Sequence, residues 1–249
     1  MNSELSTQKL IRITSDDRDK SLYPNTNRFS VKFDGVDCLQ RVYAIVVKHV
    51  SFTNTFYNMN NDTIVIIYNG SDFTITLSGI QYTIYDVLDF INNSMPFPNS
   101  HNWTYNPQLN KIEIIADASH TIQIVGGSLA EKLGLVAQTA PQTNDFFGVN
   151  QINLSGIQHV FVYSRTLGSG NNMIKSVDDQ DNSCLIMVPC DVPFGEVKHY
   201  ETNHDNLDVV NFNQDINISD IDIELQDGKG NVLDTSNHNV SLVLKIIHH

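Results

Sequence analysis

The sequence predicts a mainly β protein: a single jelly-roll β-sandwich with a small α+β domain inserted into it. Three observations carry this prediction. Short apolar runs crowd both ends of the chain, several with the two-residue period of a half-buried strand, while the good helical spacings lie in the middle. The flanks supply eight or nine such runs, about the count of a jelly roll. Asparagine, with 28 occurrences, is far commoner than usual, which suits many short strands joined by turns. An A/T-rich coding sequence would enrich it as well.

Taken in order, residues 10–13, 28–33 and 42–52 are the first strands. A charged turn of Asp16, Asp17, Arg18 and Asp19 leads through Tyr23 and Pro24 into the second of them. The third stops at the polar segment Asn54, Thr55, Phe56, Tyr57 and Asn58. Strands 63–68 and 73–77 precede a helix in which Thr83 caps and Asp86 completes a capping box. Ile84, Val87, Leu88 and Ile91 then follow at helical spacing, Tyr82 and Val87 can staple the start, and Met95 with Pro96 stops it. Strands 111–116 and 121–125 lead to a two-turn helix, capped by Ser128 with Glu131 and ended by Gly134. The polar stretch 138–144 marks the exit.

Strands then return at 157–163, 184–188, 197–200, 207–212, 221–225 and 241–247. The alternation is clearest in Ile221, Asp222, Ile223, Glu224 and Leu225, and Asp227, Gly228, Lys229, Gly230 and Asn231 form a reversing turn. The domain reading is therefore a discontinuous jelly roll, residues 1–58 and 145–249, around an insertion domain, residues 59–144. A single irregular sandwich with a decorated loop is the competing layout.

Composition narrows the function. The net charge is −13 with a pI near 4.9, a surface that repels phosphate backbones, so direct nucleic-acid binding is not expected. Three cysteines, Cys38, Cys184 and Cys190, are too few for a disulfide framework and fit a reducing compartment. The first nine residues are polar and no apolar run approaches the ~20 residues of a membrane helix. Synthesis in the cytoplasm without a membrane anchor is the expectation.

No constellation of reactive groups emerges. Asp16, Asp17 and Asp19 lack the glycine and glutamate that a helical calcium loop needs, so a solvated turn salt-bridged by Arg18 is expected. Asp178, Asp179 and Asp181 read as a polar loop. Of nine histidines, none has zinc-site spacing; the closest grouping is His199 with His204 and Asp205. Gly168-Ser169-Gly170 reads as a loop tip, and Gly126-Gly127-Ser128 as an αL turn without the lysine of a P-loop. The expectation is a non-enzyme with no catalytic, cofactor or metal residues. Trp103 and Tyr105, two apart, share a strand face. They pack in a core or, in a receptor- or glycan-binding module, stack on a sugar ring.

The order of the motifs resembles one family. Residues 15–19 (Ser-Asp-Asp-Arg-Asp) are followed by Tyr23-Pro24, then Phe29, Val31 and Phe33, and then the long strand ending in Asn54-Thr55, Tyr57 and Asn58. To these add Gly79 with Tyr82-Thr83 entering a helix, Leu133-Gly134 after a short one, and Ile221, Ile223, Leu225, Asp227 and Gly230 ahead of a strand from Ser241 to Ile246. This succession is similar to the penton (minor capsid) proteins of virophages and polinton-like viruses. The resemblance implies an upright jelly roll with an outward insertion, five copies around each fivefold capsid vertex. It implies a homopentamer in the virion, bordered by the major capsid protein and open to a host receptor or fibre protein. The polar arm 1–10 would reach neighbouring capsomers.

Overall fold

A computed structural model of the chain describes residues 7–33, 39–79, 81–95, 101–116, 119–167, 183–202 and 209–248. Cys38, His204, Asp205, the 168–170 tip and the acidic stretch 178–181 lie outside the described residues, as do residues 1–6 of the predicted arm. The chain divides into two compact units, Met1–Phe56 with Ile157–His249, and Tyr57–Gly156.

In chain order the strands begin with β1 (Thr7–Thr14), β2 (Arg28–Lys32), β3 (Leu39–Thr53), β4 (Asp62–Tyr68) and β5 (Ser71–Leu77). Helix α1 (Ile84–Ser94), strands β6 (His101–Asn106), β7 (Lys111–Ala116) and β8 (Ile122–Gly126), helix α2 (Ser128–Lys132) and β9 (Phe146–Phe147) follow. The remaining strands are β10 (His159–Ser164), β11 (Ser183–Pro189), β12 (Val197–Glu201), β13 (Val209–Ile218), β14 (Asp220–Gln226) and β15 (Ser241–His248).

Among the described residues the first unit has two sheets. One runs β1-β15-β3-β12, with β13 also on β3, and the other runs β11-β10-β14-β2. Every pairing is antiparallel. Because β12 and β13 share one edge of β3, they count as one interrupted strand. The pairs β1–β15, β2–β14, β3–β12/β13 and β10–β11 are then nested, first with last and inward to the middle. That nesting is one long hairpin rolled into two sheets, which is the jelly roll. Both sheets feed one apolar core, including Ile13, Val47, Phe52, Val160, Val162, Ile223 and Leu244.

β3 lies at the centre of its sheet, and its predicted apolar run has no clean alternation for a structural reason. Val42, Ile45, Val47, Val50 and Phe52 all join the core, so the inward parity changes twice. The pairing with β15 slips at the same two places, where Tyr43 and Lys48 are extra residues. Each bulge turns the following side chains to the other face.

The second unit holds two three-stranded sheets, β5-β4-β8 and β6-β7-β9, with their own core. α1 forms as its capping box predicts: Asp86 N–H donates to Thr83 Oγ1 (3.3 Å) and Thr83 N–H donates to Asp86 Oδ2 (2.9 Å). Val87, Leu88 and Ile91 are buried. Asn92 ties this helix to the outer edge of β6, donating to Trp103 O (3.1 Å) and accepting from Trp103 N–H (2.9 Å).

α2 departs from expectation. Gly127, not Ser128, is its N-cap, and Ser128 Oγ instead accepts from Thr63 N–H at 3.2 Å. The cause is close packing on β4: Gly127 has φ +113°, and a Cβ there would lie 2.2 Å from Thr63 O. The turn is thus a close approach in an extended positive-φ form, not the αL turn anticipated. Lys132 at the end of α2 donates to Asp62 Oδ2 (2.6 Å) and to Asn58 O (2.7 Å).

The unit also runs past residue 144, where the polar stretch had suggested an exit. Phe147 pairs with Glu113, Gly148 N–H donates to Ile112 O (2.8 Å), and Ile152 N–H donates to Asn110 O (2.9 Å). These bonds hold residues 146–152 against β7 and the turn before it.

Candidate interaction surfaces

The motifs that looked closest to chemistry are joints. Arg18 makes no salt-bridged turn of the expected kind; its guanidinium donates to three backbone carbonyls, Ser15 O (2.5 Å), Tyr23 O (2.8 Å) and Pro24 O (3.1 Å). Ser15 in turn donates to Asn239 Oδ1 (2.6 Å) and accepts from Val240 N–H (3.0 Å), which fastens the opening turn to the start of β15. Asp19 accepts from Ser21 through both its hydroxyl and its N–H, and these bonds lower its carboxyl pKa. In the second unit the Asn58 amide donates to Tyr82 O (2.7 Å) and accepts from Tyr82 N–H (2.9 Å). It joins the polar stop after β3 to the entry of α1.

Asp222 is the most heavily bonded carboxylate here. It accepts from Thr166 Oγ1 (2.6 Å), Thr166 N–H (2.7 Å), Arg165 N–H (3.1 Å) and Ser164 Oγ (3.1 Å). Burial pushes its pKa up, but these donors outweigh it and the net shift is downward. A carboxyl with a lowered folded pKa contributes stability above the ordinary range, near about 3.9, and loses it as pH falls through the folded value. Asp222→Asn is therefore expected to cost about 2 kcal/mol at neutral pH. It should also flatten the acid limb of the stability curve, as read by urea melts from pH 7 to pH 3. An unchanged acid limb would remove Asp222 from this role.

The remaining candidates are quiet. Cys184 and Cys190 are both free thiols, pushed up to about 11 by burial, with Asp191 adding to the shift at Cys190. They are protonated at neutral pH and poor nucleophiles. His49 and His199 stand with ring centroids 5.6 Å apart, and Glu201 approaches His49 Nδ1 at 3.6 Å. Among the described residues no three His, Cys, Asp or Glu side chains form a group that could hold a metal ion. Nor, among them, is any helix long and apolar enough to cross a membrane.

Trp103 and Tyr105 do share a face of β6, and that face is the core side. Trp103 is 1% exposed, so its ring offers no surface for a sugar to stack on, which corrects the ligand reading for this residue. Tyr105 is half-buried, bonds Asn110 through its hydroxyl (3.1 Å) and meets Tyr85 edge-on at 6.0 Å.

What the geometry leaves as candidate surface is strand edges. In the first unit β1 pairs only with β15, and β12 only with β3, among the described residues. Exposed apolar side chains sit at both edges: Leu10 (67%) on β1, and Val197 (48%) with Phe194 (41%) at β12. Sequence spacing did not single these out, because a lone leucine in a polar strand reads as ordinary surface.

A jelly roll whose third strand leads into a second, α+β unit defines the class: a jelly-roll β-sandwich with an inserted α+β unit, and no group of metal-holding side chains among the described residues. Compared with solved structures, the chain is similar to the mavirus penton protein, with TM-score 0.55 and 12% identity over 98% of this chain and 99% of that one. A chain in the cryo-EM structure of the Sputnik virophage aligns over 98% of each chain at TM-score 0.47 and 13% identity. The chain matches no family model and no curated protein sequence. The property shared with the mavirus protein is the fold.

Proposed function

We propose that the chain is a structural virion protein, a penton capsomer that assembles as a homopentamer at the fivefold vertices of an icosahedral capsid. The observation that carries this reading is the likeness to a penton protein over nearly the full length of both chains, so that both compact units fall within the matched length. Two features support it. The distinctive sequence motifs serve as joints of the fold, and the edge strands β1 and β12 of the jelly roll carry exposed apolar residues, Leu10 and Val197. Catalysis has no part in the proposal. The partners are further copies of the chain and the major capsid protein of the same virion, with a host receptor or fibre protein as the ligand of the exposed vertex.

Light scattering on the purified chain tests the assembly. Five copies of 28.0 kDa give 140 kDa, and that mass is expected. A chain that stays at 28.0 kDa across the concentration range, or closes at another copy number, contradicts it.

A further inference from the structure

We infer that the outward face of α1 is a docking surface for a basic segment of another protein, whose arginine or lysine side chains sit between an aromatic ring and a carboxylate. The inference goes beyond the vertex reading, because the helix and its neighbours belong to a single copy of the chain.

α1 turns Val87, Leu88 and Ile91 into the core of the second unit. Its opposite side carries Tyr85, 67% exposed, and Phe90, 39% exposed, together with exposed Asp86 and Asp89. Isolated exposed rings are ordinary surface, but each of these has a carboxylate beside it. Asp89 lies four residues after Tyr85, and Phe90 four residues after Asp86. On a helix that spacing puts the two Cβ atoms about 5–6 Å apart. A guanidinium within about 6 Å of a ring centroid is attracted to the π face, and in either pair it can bond the carboxylate as well. Tyr85 is also held in place. Its ring meets that of Tyr105 edge-on at 6.0 Å, and the Tyr105 hydroxyl is bonded to Asn110 at 3.1 Å. A ring ordered before binding loses little freedom on binding.

Charge selects the occupant. Residues 57–156 hold eight Asp or Glu, two Lys and no Arg. Both lysines are engaged, Lys132 with Asp62 and Asn58 O, and Lys111 with Val149 O at 2.8 Å. No salt bridge among the described residues reaches Asp86 or Asp89. A second copy of the chain, at net charge −13, is repelled from this face, and so is an anionic ligand. A basic partner is attracted. Arginine suits the face better than lysine, because its planar group stacks on a ring.

A short fluorescent glycine-serine peptide bearing arginines tests this on the full chain, with a citrulline peptide as its uncharged counterpart. Anisotropy is read at about 0.1 M salt, where the Debye length is about 10 Å and distant acids contribute little. The arginine peptide is expected to bind and the citrulline peptide not to. Tyr85→Leu with Phe90→Leu keeps the charge and the apolar bulk but removes both π faces, and should weaken binding about tenfold. Asp89→Asn should weaken it about threefold. Asp72→Asn makes the same charge change at an exposed position on β5 and should leave binding unchanged. Thermal melts confirm that each variant is folded. No binding of the arginine peptide, equal binding of the citrulline peptide, indifference to the leucine pair, or equal effects of the two asparagine changes overturns the inference. None of these results bears on the pentamer, which the mass in solution decides.

Discussion

Phe52→Ala is expected to destabilise the jelly roll by about 3–5 kcal/mol, the range for truncating a buried aromatic ring. Phe52 is 1% exposed and lies on β3, the strand that pairs with β15, β12 and β13. Its ring stands 5.9 Å from that of Phe56, and both belong to the core shared by the two sheets. Removing the ring empties space that no nearby side chain can fill without moving a strand held in ladders on both sides. Guanidinium melts should show a lower midpoint with an unchanged slope, since the surface exposed on unfolding is nearly the same. Phe194→Ala is the control: at 41% exposed it should shift monomer stability by less than about 0.5 kcal/mol. Equal effects of the two changes would mean that β3 is not the centre of the core.

Gly134→Ala is expected to cost at least about 3 kcal/mol in the second unit, for two additive reasons. Gly134 ends α2 at φ +72°, where an L side chain costs about 1–2 kcal/mol. A Cβ would also lie 2.3 Å from Asn150 O and 2.7 Å from its carbonyl carbon. That contact cannot relax by a rotamer change, because the obstacle is backbone. The same backbone is bonded in place: Asn150 N–H donates to Gly134 O at 2.9 Å, and Gly134 N–H donates to Glu131 O at 3.0 Å. Gly230→Ala, with φ +84° and nothing within 4 Å of the added carbon, should incur only the conformational cost. Comparable melting shifts for the two would show that the close approach to Asn150 is not what Gly134 is for.

Much of the fold was legible because its strands obey simple alternation. Asp222 and Glu224 between Ile221, Ile223 and Leu225 marked β14 well, and Thr83 with Asp86 marked the start of α1. Other parts left no periodic signal. β6 has only Trp103 and Tyr105 as large apolar residues among asparagines and threonine, and β9 is two residues long. The continuation of the second unit to Gly156 is made by backbone hydrogen bonds of irregular chain, which side-chain spacing does not record. Ser128 has the right chemistry to cap α2, yet Gly127 takes the N-cap position. What decides there is how closely Gly127 approaches Thr63.

The candidate surface was less legible than the fold. Reactive residue types drew attention to Arg18, Trp103 and the cysteines, yet Arg18 binds carbonyls, Trp103 is buried and both described cysteines are protonated thiols. The edges became visible only when the strand order showed β1 and β12 at opposite sides of one sheet.

Electron cryo-microscopy of the virion tests the central claim most directly. The account predicts the density of this two-unit chain around the fivefold axes, five copies to a vertex, with the major capsid protein on the flanks. Density for the chain on the facets away from those axes, or its absence from the ordered shell, would contradict it.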